Sequence, residues 1–170
     1  MYSCSLRRSE IAALQLMDFD LEHRRITVKA STSKTKVGRI VPIGQRATEL
    51  LAQYIGELRP KEVESSHIFL NYKGHPISTQ LISKLARRVR KTAQIRTKAS
   101  SHSFRKSSAT HMLRNGARLE TVQALLGHVD ISATQVYTKV YPQDIIKMHR
   151  AFHPRERQKM PELYLNSIHS

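Results

Sequence analysis

The sequence predicts a mainly α-helical domain with one small antiparallel β-sheet near its front, an α+β fold. Most of the chain places apolar residues at helical spacing between helix-ending signals, whereas only short segments in the first half alternate β-branched and polar residues. At 170 residues with 39% hydrophobic content, the chain is long enough for one domain with a substantial core.

Each element has its own local signal. The segment LRRSEIAALQL predicts a first helix that ends near Asp18. RRITVKA (24–30) and GRIVPI (38–43) predict a β-hairpin with a basic tip, and HIFLN (67–71) predicts a further short strand. Further helices are predicted over 45–58, 78–94, 102–115, 118–126, 131–139 and 142–151, with Arg59-Pro60, Asn115-Gly116 and Gly127 as stops.

We predict one domain over residues 1–152 and a C-terminal tail over 153–170. The tail begins with the polar segment PRERQK and ends with the more apolar ELYLNSI. The apolar end could dock either on this chain or, in trans, on a neighbouring copy, and the sequence leaves both open.

Net charge points to a polyanionic partner. Twenty-nine Lys and Arg against thirteen Asp and Glu give +16, and residues 78–118 contain eleven basic and no acidic residues. Such an excess attracts nucleic acid, since phosphate neutralisation releases counterions. Acidic lipid is the weaker alternative, because no basic helix has a bulky aromatic face.

Other features of the sequence bear on membrane insertion, cellular compartment and metal binding. No run of 18 apolar residues and no signal peptide is visible, so a membrane span is not expected. The single Cys4 fits a reducing compartment, and we expect a cytoplasmic, nucleoid-associated protein. His102 and His111 lie about 180° apart on one helix and no cysteine pair exists, so we expect no metal site.

Six residues at structurally defined positions could carry chemistry: Arg7, Lys34, His102, Arg105, His128 and Tyr137. Taken singly, each has an ordinary explanation as a solvated charge, a helix-end residue or a core aromatic. His111 and the stripe Ala109, Met112, Leu113, Val122, Leu125 and Leu126 are interpreted as core or its neighbours.

Together these residues fall within four ordered segments that resemble the tyrosine recombinase (phage integrase) family. LRRSEIAALQL resembles the first family box, L-R-x-S-E-L, and TSKTKVGRIVPI resembles the family β-hairpin, with Lys34 eight residues before Pro42. HSFRKSSATHML resembles H-x-L-R-H-x-x-A-T-x-L, and LLGHVDISATQVYTKV resembles L-L-G-H-x-(eight residues)-Y-T. The match spans residues 6–139.

The resemblance implies the fold of a tyrosine recombinase catalytic domain and site-specific DNA cleavage and rejoining without metal or nucleotide cofactor. Tyr137 matches the nucleophile that forms a 3′-phosphotyrosyl link, with Tyr141 as a rival one turn further on. Arg7 and Arg105 match the arginines that clamp the scissile phosphate. Lys34 matches the residue that protonates the 5′-oxygen, and His102 and His128 match the histidines that assist at the tyrosine and the phosphate.

The sequence also departs from the family pattern. Lys106 replaces the usual histidine of the second box. Only six residues precede Arg7, so the resemblance implies a catalytic domain without its usual N-terminal helices and core-binding domain. A DNA-binding remnant without productive catalysis, or type IB topoisomerase-like DNA relaxation, remains an alternative.

The implied partners are double-stranded DNA and further copies of the chain, with four protomers on two DNA sites. The basic residues expected to contact DNA, with a solvated surface as the alternative for each, are Lys36, Arg39, Arg87, Arg88, Lys91 and Lys106.

Overall fold

The computed structural model describes residues 1–33, 36–96, 100–127 and 142–157. Within them the helices are α1 (Arg8–Ala13), α2 (Gln45–Gln53), α3 (Thr79–Thr92), α4 (Ser101–Arg114), α5 (Leu119–Leu126), α6 (Pro142–Phe152) and α7 (Pro154–Arg157). The strands are β1 (Phe19–Asp20), β2 (Arg25–Val28) and β3 (Arg39–Pro42). The predicted α+β class is confirmed, while the helix predicted at 131–139 lies outside the described residues.

The three strands form one antiparallel sheet in the order β1-β2-β3. Ile26 pairs with Val41 across β2 and β3, and both side chains are buried, so the inner face of the predicted hairpin contributes to the core. The two-residue strand β1 was not predicted because it is too short to show alternation.

The strand predicted at 67–71 is wrong as a continuous element. This segment makes only two isolated bridges, Gln15 with His67 and Leu70 with Pro76, although Ile68 between them is fully buried. Its apolar residues satisfy the core, while its backbone bonds go to loops.

Local signals set most helix ends as predicted, but the first helix ends at Ala13 rather than near Asp18, and a separate 3-10 turn covers Leu16–Asp18. Ser78 caps α3 by accepting a hydrogen bond from the Leu81 N–H at 3.1 Å. Beyond α5, Gly127 has φ +62°, and beyond α4, Gly116 has φ +97°, conformations that glycine adopts without steric cost. The predicted helix 45–58 is α2 followed by a π-helical turn over Tyr54–Leu58.

The core joins the sheet to α4, α5 and α6. Leu6, Val28, Val41, Ile68, Met112, Val122 and Leu125 are all at most 2% exposed. This confirms the interpretation of most of the 109–126 stripe as core, but Leu113 is exposed, so its assignment was wrong. His111 is a partnered neighbour as expected, with its Nδ1 2.7 Å from the Tyr2 hydroxyl.

The C-terminal helices pack on the N-terminal residues through two stacked histidines. The rings of His149 and His153 are 4.6 Å apart and nearly parallel, and Nε2 of His149 lies 2.7 Å from the Ser3 carbonyl oxygen. Burial, chiefly, lowers the pKa of each imidazole to about 4.

The predicted boundary between domain and tail at residue 153 lies within packed structure. His153 is fully buried, and in α7 the Glu156 carboxylate accepts a hydrogen bond from the Gln45 N–H at 2.9 Å. The packed body extends into α7, because the side chains of His153 and Glu156 find partners on the body. None of the described helices is long and apolar enough to cross a membrane.

Candidate active site

A single buried carboxylate holds three arginines from separate parts of the chain. Oε1 of Glu10 lies 2.9 Å from Nη1 of Arg7, and the two oxygens accept a bidentate pair of 2.9 Å bonds from Arg39. Nη1 of Arg105 lies 3.9 Å from Oε2 of the same carboxylate. The Glu10 side chain is fully buried, so these arginines supply its counter-charge.

The start of α1 explains how Arg7 and Glu10 meet. Leu6 is buried in the core, and Arg7 takes the N-cap position of the helix, with its side chain donating to the Gly127 carbonyl beyond the end of α5. Glu10, three residues on, reaches back to accept the Arg7 backbone N–H at 2.7 Å. The same carboxylate thus fixes both the backbone and the guanidinium of Arg7.

Arg105 is held from the opposite side by backbone carbonyls. From the first half of α4 it donates through Nη1 to the Ser5 carbonyl and through Nη2 to the Leu126 carbonyl. Ser5 has φ +49°, which is uncommon for a residue with a side chain, and its hydroxyl donates to Ser108 Oγ at 2.9 Å. The conformation of Ser5 therefore directs its carbonyl oxygen toward Arg105.

The three arginines and the single glutamate give this cluster a net charge of two positive units. Burial alone would raise the pKa of Glu10, but hydrogen bonds from Arg39 and from Arg7 lower it below the usual value. Burial, together with the charges of Arg7 and Arg39, lowers the pKa of Arg105 to about 10. Glu10 is thus an anion and Arg105 is a cation at neutral pH.

A polar cleft of about 450 Å³ opens beside this cluster. Its walls come from α1, α3 and the start of α4, and the lining residues are Arg7, Arg8, Ser9, Ser83, Arg87, Ser100, Ser101 and His102. The structure therefore brings together two of the predicted site residues, Arg7 and His102, on one cavity. Arg105 is not among the lining residues, and only 5% of its side chain is exposed.

Lys34, His128 and Tyr137, the other three predicted site residues, lie outside the described residues, as does Tyr141. The chain positions next to two of them are described. Nη2 of Arg7 donates to the carbonyl of Gly127 at 3.2 Å, and Gly127 directly precedes His128. Ser33, directly before Lys34, is buried.

The residues expected to contact DNA divide into two groups. Five of them are exposed: Lys36, Arg87, Arg88, Lys91 and Lys106. Arg39 differs from them, because its side chain is only 8% exposed and its guanidinium is engaged with Glu10 and with the Leu125 carbonyl, at 3.0 Å from Nε. A phosphate could reach it only by displacing those partners.

Sequence reasoning missed two residues of this site. The signal for Glu10 is its position three residues after the N-cap, the spacing at which a glutamate reaches back to the helix start. Arg8 had no such signal, and it lines the cleft while its Nη1 donates to Ser83 Oγ at 3.1 Å. Within the described ranges, no group of three or more His, Cys, Asp or Glu residues is placed to hold a metal ion.

The chain is similar in sequence and in structure to known recombinases. The tyrosine recombinase XerD of Staphylococcus saprophyticus is 40% identical over 158 residues, which cover 91% of this chain and 52% of that protein. The crystal structure of XerA recombinase is similar with a TM-score of 0.71 at 26% identity, covering 94% of this chain and 56% of that one. XerH recombinase, solved in a pre-cleavage complex with its difH substrate, gives a TM-score of 0.65 at 25% identity, covering 82% and 40%.

These similarities extend over most of the chain, although the chain spans about half the length of the curated relatives it matches. The model of the phage integrase family matches residues 1–144, which include the whole arginine cluster and all four sequence boxes. The chain therefore belongs to the phage integrase family.

Proposed function

We propose that this chain is the catalytic part of a site-specific DNA recombinase, which cuts and rejoins DNA strands through a 3′-phosphotyrosyl intermediate. The observation that carries the proposal is the pairing of Arg7 and Arg105 on buried Glu10, beside a cleft that also contains His102. Membership of the phage integrase family and 40% identity to a tyrosine recombinase support it.

The arginine cluster suits a phosphodiester better than a substrate of another charge. Glu10 neutralises one of three guanidinium groups, so a net positive charge remains beside the cleft for an anion. Among the described contacts Arg7 uses two of its five N–H donors, which leaves planar donors for a non-bridging phosphate oxygen. Donors held in place before reaction stabilise the charge that grows on these oxygens in the transition state.

In the proposed reaction, the phenolate oxygen of Tyr137 attacks the phosphorus and the bond from phosphorus to the 5′-oxygen breaks. Lys34 donates a proton to the departing oxygen, and His102 assists removal of the phenol proton, which has a pKa near 10 in water. His128 donates a hydrogen bond to the phosphate. The phosphotyrosyl bond conserves the energy of the broken linkage, so the reverse attack by a 5′-hydroxyl rejoins DNA without ATP.

The proposed partners are duplex DNA and three further copies of the chain on two DNA sites. The exposed cations Arg87, Arg88 and Lys91 on α3, together with Lys36 and Lys106, supply sequence-independent attraction to DNA phosphates. XerH, a structural neighbour, was solved with its difH DNA before and after cleavage, which supports a DNA substrate. We place the protein on the cytoplasmic nucleoid, where that substrate is found.

A covalent-adduct assay tests this function. The chain is incubated with a pool of nicked duplexes of random sequence, in which cleavage near the nick releases a short fragment and traps the protein on DNA. We expect an adduct that survives denaturation, is absent in Tyr137→Phe and is retained in the matched variant Tyr141→Phe.

Other results would support the alternatives. Salt-sensitive DNA binding without any adduct would favour a DNA-binding remnant and contradict the proposal. Relaxation of supercoiled DNA at many unrelated sequences, with an adduct of no sequence preference, would favour topoisomerase-like activity instead.

A further inference from the structure

We propose that Arg39 is a positioning residue of the active site, which sets the geometry of the two phosphate-binding arginines without contacting DNA. The inference deepens the proposed function and rests on it. It is based on the hydrogen bonds of the nearly buried Arg39 guanidinium, which connect the hairpin to α1 and α5.

Arg39 makes the most complete contact with the Glu10 carboxylate. It donates to both carboxylate oxygens at 2.9 Å, the two-bond geometry that aligns a guanidinium and a carboxylate in one plane. Arg7 donates to one oxygen with one side-chain nitrogen, and Arg105 stands 3.9 Å away. Arg39 therefore fixes the carboxylate plane to which the other two arginines must adjust.

The same side chain holds the end of α5. Nε of Arg39 donates to the Leu125 carbonyl at 3.0 Å, while Arg105 and Arg7 donate to the next two carbonyls, those of Leu126 and Gly127. Three successive carbonyls at a helix C-terminus thus accept from three arginines, where the helix dipole also favours cations. This alignment fixes the turn that leads directly to His128.

Gly127 shows how closely Arg39 passes beneath this turn. A Cβ atom at Gly127 would stand 3.1 Å from Nη1, 3.2 Å from Cδ and 3.2 Å from Cζ of Arg39. The glycine is thus required both by its φ of +62° and by the guanidinium that passes below it. Arg39 is packed into the site from β3 and lies five residues after Lys34 in the sequence.

Loss of Arg39 should therefore misplace Arg7. Without the bidentate partner, both oxygens of Glu10 become available, and Arg7 can turn fully onto the carboxylate and away from the cleft. Catalysis then falls while DNA affinity, which depends on the exposed cations, changes little. Two other roles for Arg39 predict different results. If Arg39 contacted a phosphate directly, its loss would lower both the DNA affinity and the salt dependence of that affinity. If only its charge mattered, lysine would substitute for it.

The experiment compares Arg39→Met and Arg39→Lys with Arg25→Met. Arg25 lies on β2 of the same sheet, is partly exposed and pairs with Asp20 at the surface, so its variant matches the charge lost in Arg39→Met. Each variant is assayed for the rate of adduct formation at saturating DNA and for DNA affinity over a range of salt. Circular dichroism sets a temperature at which all are folded, and Arg39→Lys keeps the test decisive if Arg39→Met is unstable.

We expect adduct formation to slow by about 10- to 100-fold in both Arg39 variants, the range seen when a residue that orients a metal ligand is lost from a metalloenzyme, and not in Arg25→Met. Full activity of Arg39→Lys would overturn the proposal. So would a salt slope reduced by about one in Arg39→Met relative to Arg25→Met, which is the signature of a lost phosphate contact.

A crystal structure of Arg39→Lys separates this inference from the function on which it rests. We expect the Arg7 guanidinium to have moved onto Glu10, whether or not the chain forms adducts. If the unmodified chain forms no adduct, the proposed function fails while the structure still tests the positioning role. Unchanged contacts of Arg7 and Arg105 in that variant would overturn it.

Discussion

Replacement of Glu10 by glutamine is the most direct perturbation of the arginine cluster. The amide keeps the size of the side chain but removes the only negative charge that contacts Arg7, Arg39 and Arg105 among the described residues. It also places an NH2 group where an oxygen now accepts hydrogen bonds from guanidinium donors. Glu10→Gln therefore leaves three nearly buried cations without their counter-charge.

The expected loss of stability follows from the burial of the carboxylate. Removing one partner from a buried ion pair costs about 3–5 kcal/mol, because the remaining charge stays desolvated and uncompensated. For a domain of this size that corresponds to a decrease in Tm of roughly 6–20 °C. A surface pair contributes about 0–1 kcal/mol, so the two cases are separable by experiment.

Urea unfolding of Glu10→Gln and Glu49→Gln, followed by circular dichroism, measures this difference. Glu49 is half exposed, and its Oε2 lies 3.6 Å from Nη1 of Arg46 on the same helix. Glu49→Gln therefore makes the same chemical change as Glu10→Gln, but at a solvent-exposed ion pair. We expect a large loss for Glu10→Gln and almost none for Glu49→Gln. A loss below about 1 kcal/mol for Glu10→Gln would refute the reasoning, since it would lie within the range of a surface pair.

The remaining predictions concern acid stability, one glycine and one exposed arginine. The folded pKa values of His149 and His153 are about 4, below the usual 6.5, so the unfolded state binds protons first as the pH is lowered. The free energy of unfolding therefore falls as the pH decreases from about 6.5 to 4. His149→Gln makes this pH dependence, measured by urea unfolding, shallower. Gly127→Ala destabilises the fold by at least about 1–2 kcal/mol in the same assay, the cost of the left-handed conformation before the contact with Arg39 is counted. Arg87→Ala weakens DNA binding and lowers the salt slope by about one.

Matched variants control each of these measurements. His75→Gln alters an exposed imidazole, and an equal effect on the pH dependence would contradict the role of the buried pair. Gly56→Ala places a Cβ in open space, so a loss as large as that of Gly127→Ala would contradict the steric argument. Arg46→Ala removes a positive charge from α2, and an equal change in salt slope would mean that Arg87 contributes only general charge.

The fold was largely predictable because its signals are local. Apolar periodicity and the stops at Gly116 and Gly127 define most helices, and β-branched alternation defines the hairpin. The prediction failed where tertiary contacts decide the outcome. The segment around Ile68 looks like a strand but pairs only through isolated bridges, and His153 looks like the start of a polar tail but is buried against the N-terminal residues.

The site was predictable in its residue types but not in its organisation. Arg7, His102 and Arg105 were predicted from motifs, and the structure brings Arg7 beside His102 in a cleft and beside Arg105 on a carboxylate. The role of Glu10 depends on Arg39, 29 positions away, and on carbonyls at the end of α5. No local pattern encodes such a contact, so the sequence predicted Arg39 only as a basic residue that contacts DNA or lies in solvent.

The central claim is that Tyr137 becomes linked to a DNA 3′-phosphate, and peptide mapping of the trapped adduct tests it most directly. The adduct is digested with protease and nuclease, the modified peptide is identified by mass spectrometry, and the released DNA end is tested with a 5′-kinase. We predict a nucleotide on Tyr137 joined through the 3′-phosphate, together with a free 5′-hydroxyl on the released strand. A nucleotide on another residue, a link through a 5′-phosphate, or no adduct would contradict the account.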